Sequence, residues 1–227
     1  MTDWTGVRER VMALGAASGG DKAFGAMGQG FALDAPLTGP EVADLETCLG
    51  VELPEEYRSS CSRSEPEEPA RPMASSRCGV TVPTVGPGSE TLLSRSNRAW
   101  SALFRGGPDP EATTGILAEQ PFREGFDDVA DLEAALEVWE ERLTDVRYDP
   151  RFTSGALCLS DEGCGLTAWL VVTGSQRGHM WRDPRSDGED LRPTRAADGS
   201  QLDFAGWYFE WLAAAEAARG LDRRQQI

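Results

Sequence analysis

The chain has 227 residues, of which 40% are hydrophobic and 26% are charged, the composition of an ordinary globular domain. Its 38 acidic and 22 basic side chains give a net charge of −16, which argues against nonspecific binding to nucleic acid or anionic lipid and suits a basic protein partner. The sequence contains neither an apolar run long enough to cross a membrane nor a secretory signal pattern, and we therefore expect a cytoplasmic protein.

Apolar spacing predicts two short helices in the first 50 residues. Residues 3–14 carry apolar side chains at helical intervals, and we assign residues 1–40 as an N-terminal extension that contains this helix. Residues 41–49 again place their apolar side chains on one helical face, and Gly50 follows as a helix stop.

A third helix is predicted to begin around Pro54. Proline suits the first helical position, because its missing N–H has no partner there in any case. Glu55 and Glu56 follow and suit the positive end of the helix dipole. The two glutamates are therefore either helix-start residues or part of an acidic surface.

Residues 59–101 differ from the rest of the chain, with ten serines, five prolines and no hydrophobic periodicity. Residues 71–107 carry five arginines against one acid, although the chain as a whole is strongly acidic. Two explanations stay open, a disordered insert or a segment translated out of frame. Codons can be chosen that encode residues 59–81 in the given frame and a different peptide in a shifted frame. That peptide has the pattern of an apolar helix end, a glycine-rich turn and a strand. We expect one domain over residues 41–217, interrupted by this segment and followed by a disordered tail over residues 218–227.

The clearest helical pattern in the chain spans residues 126–143, where apolar side chains from Phe126 to Leu143 form one stripe. Residues 109–149 contain thirteen acids and three arginines. This helix is therefore also the best candidate for an acidic surface.

Strands follow this helix and a last helix closes the chain. Strands are predicted at residues 156–159, at residues 166–173 and from His179, and the short turns between them favour antiparallel pairing. Residues 183–197 are polar and are predicted to form a loop, and an amphipathic helix is predicted over residues 203–217. Helices, then strands, then a C-terminal helix predict an α+β fold, with helices packed on an antiparallel or mixed sheet.

Three segments, in this order, resemble the SMI1/KNR4 family, also called the SUKH superfamily. The first is ETCLGVELPEEYR at residues 46–58, similar to the family's E-x3-GV-x-LP-x-x-Y signature. The second is GCGLTAWLVVTGSQRGHMWRD at residues 163–183, and the third is FAGWYFEWL at residues 204–212, similar to the family's terminal helix. The chain departs from the family after residue 58, where members continue with an apolar helix and a glycine-rich strand entry.

The resemblance implies a SUKH-like fold and a role in protein binding rather than catalysis. Many bacterial members of the family are immunity proteins that bind a toxin domain, often a nuclease, and block it, whereas fungal members regulate cell-wall synthesis through protein contacts. We therefore expect an immunity-type binding module, with a scaffold or regulatory protein without a toxin partner as the alternative. A basic nuclease domain would attract an acidic binder electrostatically.

Seven acids and one tryptophan are candidate partner-binding residues. Trp181 is a candidate anchor because tryptophan is enriched at interface hot spots, although its strand position also suits core packing. The alternative for each acid is an ordinary solvated surface position; the candidate acids are Glu55, Glu56, Asp127, Asp128, Asp131, Asp161 and Glu162.

The rival hypothesis is an enzyme that uses Asp161, Glu162, Cys164 and His179 at the end of a strand. Acid–base catalysis would require two of these groups within hydrogen-bond reach of each other. His179 is the only histidine, and no two of the five cysteines have the C-x2-C spacing of zinc or redox sites. We therefore predict a protein without catalytic residues, metal or cofactor.

Overall fold

The computed structural model describes residues 2–16, 35–62, 101–107 and 110–218. Within these residues the chain forms six α-helices and four β-strands. The helices are α1 (Val7–Ala16), α2 (Gly39–Leu49), α3 (Glu55–Cys61), α4 (Pro110–Ala118), α5 (Val129–Arg147) and α6 (Phe204–Ala218). The strands are β1 (Ala156–Gly163), β2 (Leu166–Val171), β3 (Met180–Asp183) and β4 (Arg192–Pro193).

The four strands form one sheet in the order β1-β2-β3-β4, and each neighbouring pair is antiparallel. Trp169 of β2 lies opposite Trp181 of β3, and β1 carries two register shifts where it pairs with β2. A two-residue turn joins β1 to β2, and longer connections that include 3-10 turns join β2 to β3 and β3 to β4. The chain thus reaches each neighbour without a crossover. The predicted α+β class with an antiparallel sheet and a C-terminal helix is confirmed.

The main core lies between one face of the sheet and helices α1, α2, α3 and α6. Leu157, Leu170 and Met180 point from the strands into this core and are fully buried. Tyr57 of α3 packs edge-on against Phe204 of α6, with their ring centroids 5.0 Å apart. The apolar stripes of short helices are covered in this way by a common sheet face, which supplies most of their stability. Burial in this core also raises the pKa of the Cys61 thiol to about 11.

The second face of the sheet carries a smaller cluster, built from Ala156, Trp169 and Val171. Residues 101–107 lie across it as a strap, and Phe104 of the strap packs edge-on against Trp181 at 5.0 Å. Thr173 holds the strap, since its Oγ1 donates to the carbonyl of Ala102 at 2.7 Å and accepts from the Phe104 N–H at 3.2 Å. Both faces of the sheet are therefore covered.

Several observed elements differ from the sequence predictions. The long helix begins at Val129 rather than residue 126, because Asp128 caps it, and it continues to Arg147. Pro54 precedes α3 as its N-cap residue instead of occupying the first helical position. Helix α4 was not predicted. The polar stretch after β3 holds strand β4 and the 3-10 turn Arg185–Asp187 in addition to loop.

Part of the predicted organisation falls outside the described residues. This holds for residues 17–34 of the N-terminal extension, for residues 63–100 of the serine-rich segment and for residues 219–227 of the tail. The described start of the serine-rich segment completes α3, where Cys61 is buried, and Leu37 and Ser62 form a β-bridge. None of the helices in the described part of the chain is long and apolar enough to span a membrane.

Candidate functional site

Helix α5 carries the largest group of predicted site residues, and its start is fixed by an aspartate cap. The side chain of Asp128 accepts a hydrogen bond from the Ala130 N–H at 2.9 Å, which satisfies one of the free donors at the helix start. Asp127 and Asp131 flank the cap, where negative charge is favoured by the helix dipole. The three acids thus help to start the helix and remain exposed to solvent.

Helices α4 and α5 form a hairpin that leaves most of α5 in solvent. Trp139 Nε1 of α5 donates to the carbonyl of Ile116 on α4 at 2.7 Å. An exposed ion pair at 2.9 Å joins Arg142 of α5 to Glu119, the residue that follows α4. Leu143 is the one residue of α5 that is buried. The apolar stripe of α5 is therefore only half-buried, and Val129 at its start is 52% exposed.

The exposed surface of α5 is densely acidic. Residues 127–147 hold eight carboxylates and two arginines, and all eight carboxylates are exposed. Glutamates four residues apart lie on the same side of a helix, so these side chains form a continuous negative face. We call this surface the acidic face; its members are Asp127, Asp128, Asp131, Glu133, Glu137, Glu140, Glu141 and Asp145.

Exposed apolar side chains lie within and beside the acidic face. Val138 is 58% exposed, and its position three residues before Glu141 and seven after Asp131 places it among the carboxylates. Phe122, in the loop that leads into α5, is 64% exposed. The surface around α5 thus combines exposed carboxylates with exposed apolar side chains.

The other predicted acids lie on different elements. Glu55 and Glu56 are in the first turn of α3; Glu55 is exposed, and Glu56 accepts a hydrogen bond from Thr2 Oγ1 at 2.9 Å. Glu162 pairs with Arg182 at 3.2 Å and is mostly buried, while the backbone of Asp161 pairs with Thr167 in the β1–β2 hairpin. Of the seven candidate acids, only those at the start of α5 belong to the acidic face.

Trp181 has a packing role in the structure. Its ring lies against Phe104 and is half-buried, and its Nε1 is buried without a hydrogen-bond partner among the described residues. A Cβ at Gly106 would lie 2.9 Å from the Trp181 ring, so the strap also presses on this side chain. Trp181 therefore helps to cover the second face of the sheet.

The residues of the enzyme hypothesis lie at opposite ends of strand β2. Cys164 is exposed in the turn just before Leu166, whereas the backbone carbonyl of His179 accepts from the Val171 N–H at 3.1 Å. The five residue steps between Leu166 and Val171 span about 17 Å of strand. The structure therefore does not bring the thiol and the imidazole together as an acid–base pair.

The described residues contain no group of three histidine, cysteine, aspartate or glutamate side chains placed to hold a metal ion. The free cysteines among them, Cys61, Cys158 and Cys164, lie on separate elements.

The three segments that carry the family resemblance meet in space. Glu46 Oε1 accepts from the Leu53 N–H at 2.7 Å and from Arg58 Nε at 3.0 Å, which shapes the loop between α2 and α3. Arg177 Nη2, from the second segment, donates to the carbonyl of Leu53 at 2.8 Å. The Phe204 N–H, from the third segment, donates to the carbonyl of Gly178 at 3.2 Å. The motif residues thus join α2, α3, the β2–β3 turn and α6.

A buried ion pair at the end of β3 was not predicted from the sequence. Asp183 and Arg185 face each other in the stretch that was predicted as a polar loop, and both side chains are at most 8% exposed. An acid and an arginine two residues apart around a proline were visible in the sequence. Their burial depends on α5 and β3 meeting in space, which no local pattern records.

The chain matches no protein-family model, no curated protein and no solved structure.

Proposed function

We propose that this protein is a non-catalytic binding module with an SMI1/KNR4-like fold, an immunity-type protein that binds and neutralises a bacterial toxin domain in the cytoplasm. The acidic face of α5 is its contact surface, and a basic domain, such as a nuclease, is its partner. The function requires neither a metal nor a cofactor.

One observation carries this proposal, the density of unpaired charge on α5. Eight exposed carboxylates against two arginines, over residues 127–147, create a local excess of six negative charges. Like charges three and four residues apart destabilise an isolated helix. The benefit of such a row of carboxylates comes when a cationic surface binds. Complementary charges accelerate the encounter of the two proteins and disfavour wrong partners.

The nature of the partner follows from electrostatics. A nuclease grips phosphates with lysine and arginine, so its active-site groove is a positive surface. A helix covered with carboxylates competes for that groove, while Val138 and Phe122 supply apolar contact area that nucleic acid does not. The overall charge of −16 adds long-range attraction to the same class of partner.

Two further findings support the family part of the proposal. The segments that resemble SMI1/KNR4 proteins form one connected junction through Glu46, Leu53, Arg177 and Phe204. Loop contacts of this kind constrain the sequence locally, which gives a physical reason for a motif at these positions. The antiparallel sheet with a C-terminal helix also agrees with the expected class.

The test begins with a long DNA read across the gene and its neighbours, which identifies any large protein with a C-terminal nuclease-like domain. That domain is purified, and its affinity for this protein is measured by titration calorimetry at several salt concentrations. We expect tight binding, inhibition of the domain and an affinity that falls as salt rises, because salt screens surface charges.

A variant that removes part of the negative charge of α5 then locates the contact surface. Replacing Glu133, Glu137, Glu140 and Glu141 with glutamine removes half of the acidic face, and we expect the affinity to fall about tenfold or more, mainly through slower association. The matched control replaces Glu9, Asp44, Asp190 and Glu210, which are exposed on other elements, with their amides. Equal loss in both variants would contradict a specific role for α5. A locus without a toxin would favour the scaffold or regulatory alternative.

A further inference from the structure

Arg185 lies at the point where α5 meets the sheet, in the 3-10 turn that follows β3. Its Nε donates to Asp183 Oδ1 at 2.7 Å and its Nη2 donates to Asp183 Oδ2 at 2.5 Å, a two-pronged contact in which both side chains are almost completely buried. Pro184 between them is also fully buried. The planar guanidinium is thereby held in one orientation.

Arg185 contacts α5 through its remaining guanidinium nitrogen, Nη1. Its Nη1 donates to the carbonyl of Arg147, the last residue of the helix, at 2.7 Å, and its Cζ lies 5.0 Å from the centre of the Tyr148 ring. The C-terminal end of a helix has carbonyls without partners and carries partial negative charge. A buried cation is favourable there for both reasons. One side chain therefore ties the end of α5 to the end of β3.

Few other contacts hold α5 on the sheet. Leu143 is its one buried residue, and it lies one turn before Arg147, which Arg185 contacts. The hydrogen bond of Trp139 and the ion pair of Arg142 run to α4, the other helix of the hairpin. The attachment of α5 to the sheet is thus concentrated at its C-terminal turn.

We infer that Arg185 is a positioning residue, a buried clamp that fixes the α4–α5 hairpin, and with it the acidic face, on the body of the protein. Burying a charged pair costs desolvation energy, which replacement with apolar side chains would avoid. The two-pronged pairing with Asp183 instead leaves Nη1 aimed at the helix end. The consequence for partner binding rests on the proposed function, whereas the clamp itself does not.

Hydrogen–deuterium exchange of the free, full-length protein tests the clamp without any partner. Arg185→Lys keeps the positive charge but cannot reach two carboxylate oxygens and the Arg147 carbonyl at once. We expect amide exchange in residues 139–147 to accelerate about tenfold or more, as loss of a charge-assisted hydrogen bond implies, while exchange in β2 and α6 stays unchanged. Tyr148→Ala, at a partly exposed residue, is the milder second variant and should accelerate the same amides to a smaller degree.

Arg192→Lys is the matched control, because Arg192 forms an exposed ion pair with Glu189 in the neighbouring loop. It should leave α5 exchange at the level of the unmodified protein. Unchanged α5 exchange in Arg185→Lys would overturn the clamp, as would equal acceleration in α5, β2 and α6, which would indicate a general loss of stability. Either result would leave the proposed binding function untouched. If Arg185→Lys does not fold, unchanged α5 exchange in Tyr148→Ala would overturn the clamp.

Discussion

Single residues decide how the second face of the sheet is closed. Gly155 has a φ of +74°, and a Cβ built there would lie 2.2 Å from both the Ala102 carbonyl oxygen and Thr173 Oγ1. The strap can approach the sheet only because this position lacks a side chain. The Thr173 hydroxyl then holds the strap through two hydrogen bonds, which it donates to the Ala102 carbonyl and accepts from the Phe104 N–H.

Gly155→Ala should therefore destabilise the protein by about 3 kcal/mol or more, from left-handed backbone strain and steric overlap together. Gly188→Ala is the control, because Gly188 has a φ of +82° with no atom within 4 Å of a built Cβ. This control should lose only about 1–2 kcal/mol, the backbone part. Urea unfolding of both variants gives the comparison. Equal losses would mean that the strap does not press on Gly155.

At the scale of elements, the loop between α2 and α3 depends on Glu46. Its Oε1 accepts from the Leu53 N–H and from Arg58 Nε and Nη2, so one carboxylate oxygen holds the loop that α3 follows. Leu53 and Pro54 are buried beneath it. The position of Tyr57, and of its contact with Phe204, follows from this loop.

Glu46→Gln should cost about 1–2 kcal/mol of stability, because the amide keeps an acceptor oxygen but loses the charge that strengthens both arginine bonds. Glu52→Gln is the control, since Glu52 is 73% exposed and contacts Arg58 only at 3.2 Å. It should change stability by less than about 0.5 kcal/mol. Chemical denaturation distinguishes the two. A similar small effect for both would show that the buried N–H of Leu53 does not need the charge.

The elements that sequence analysis placed well are those with strong local signals. Helix α6 repeats its apolar side chains at helical intervals, β2 is rich in branched and aromatic residues, and Gly50 ends α2 in the left-handed conformation that a glycine allows. Helix α4 was missed because its sequence, PEATTGILA, includes two threonines and a glycine, which are poor helix formers. Its stability comes from packing against α5.

The candidate site was predicted less completely, because exposure depends on partners that are distant in sequence. The acids at the start of α5 were identified, but the apolar stripe did not show that Val129 stays exposed. A two-helix hairpin covers only one side of α5, so Val129 and Val138 stay in solvent. Asp183 and Arg185 were placed in a polar loop for the converse reason, since only tertiary packing buries them.

At the scale of the whole molecule, the main hydrophobic core and the acidic face lie in different parts of the structure. The large core lies on one face of the sheet under α1, α2, α3 and α6, whereas the acidic face belongs to the hairpin whose end is tied to β3. A surface mounted at the edge of the core can carry repelling charges without disturbing the main packing. The same separation lets the surface change, by mutation, with little effect on the fold.

This separation predicts a conflict between stability and binding on α5. Glu137 has glutamates at four residues before it and at three and four after it, so Glu137→Gln should stabilise the free protein by about 0.5 kcal/mol through lost repulsion.

Glu210→Gln, on α6, removes the same charge from a glutamate without charged neighbours at these spacings and should change stability by about zero. Thermal unfolding at low salt measures both, and the gain of Glu137→Gln should shrink in about 1 M salt, where the screening length is about 3 Å. Equal gains would assign the repulsion to net charge instead of the row on α5. If Glu137→Gln also weakens binding of the proposed partner, the carboxylates are retained for that partner at the expense of the fold.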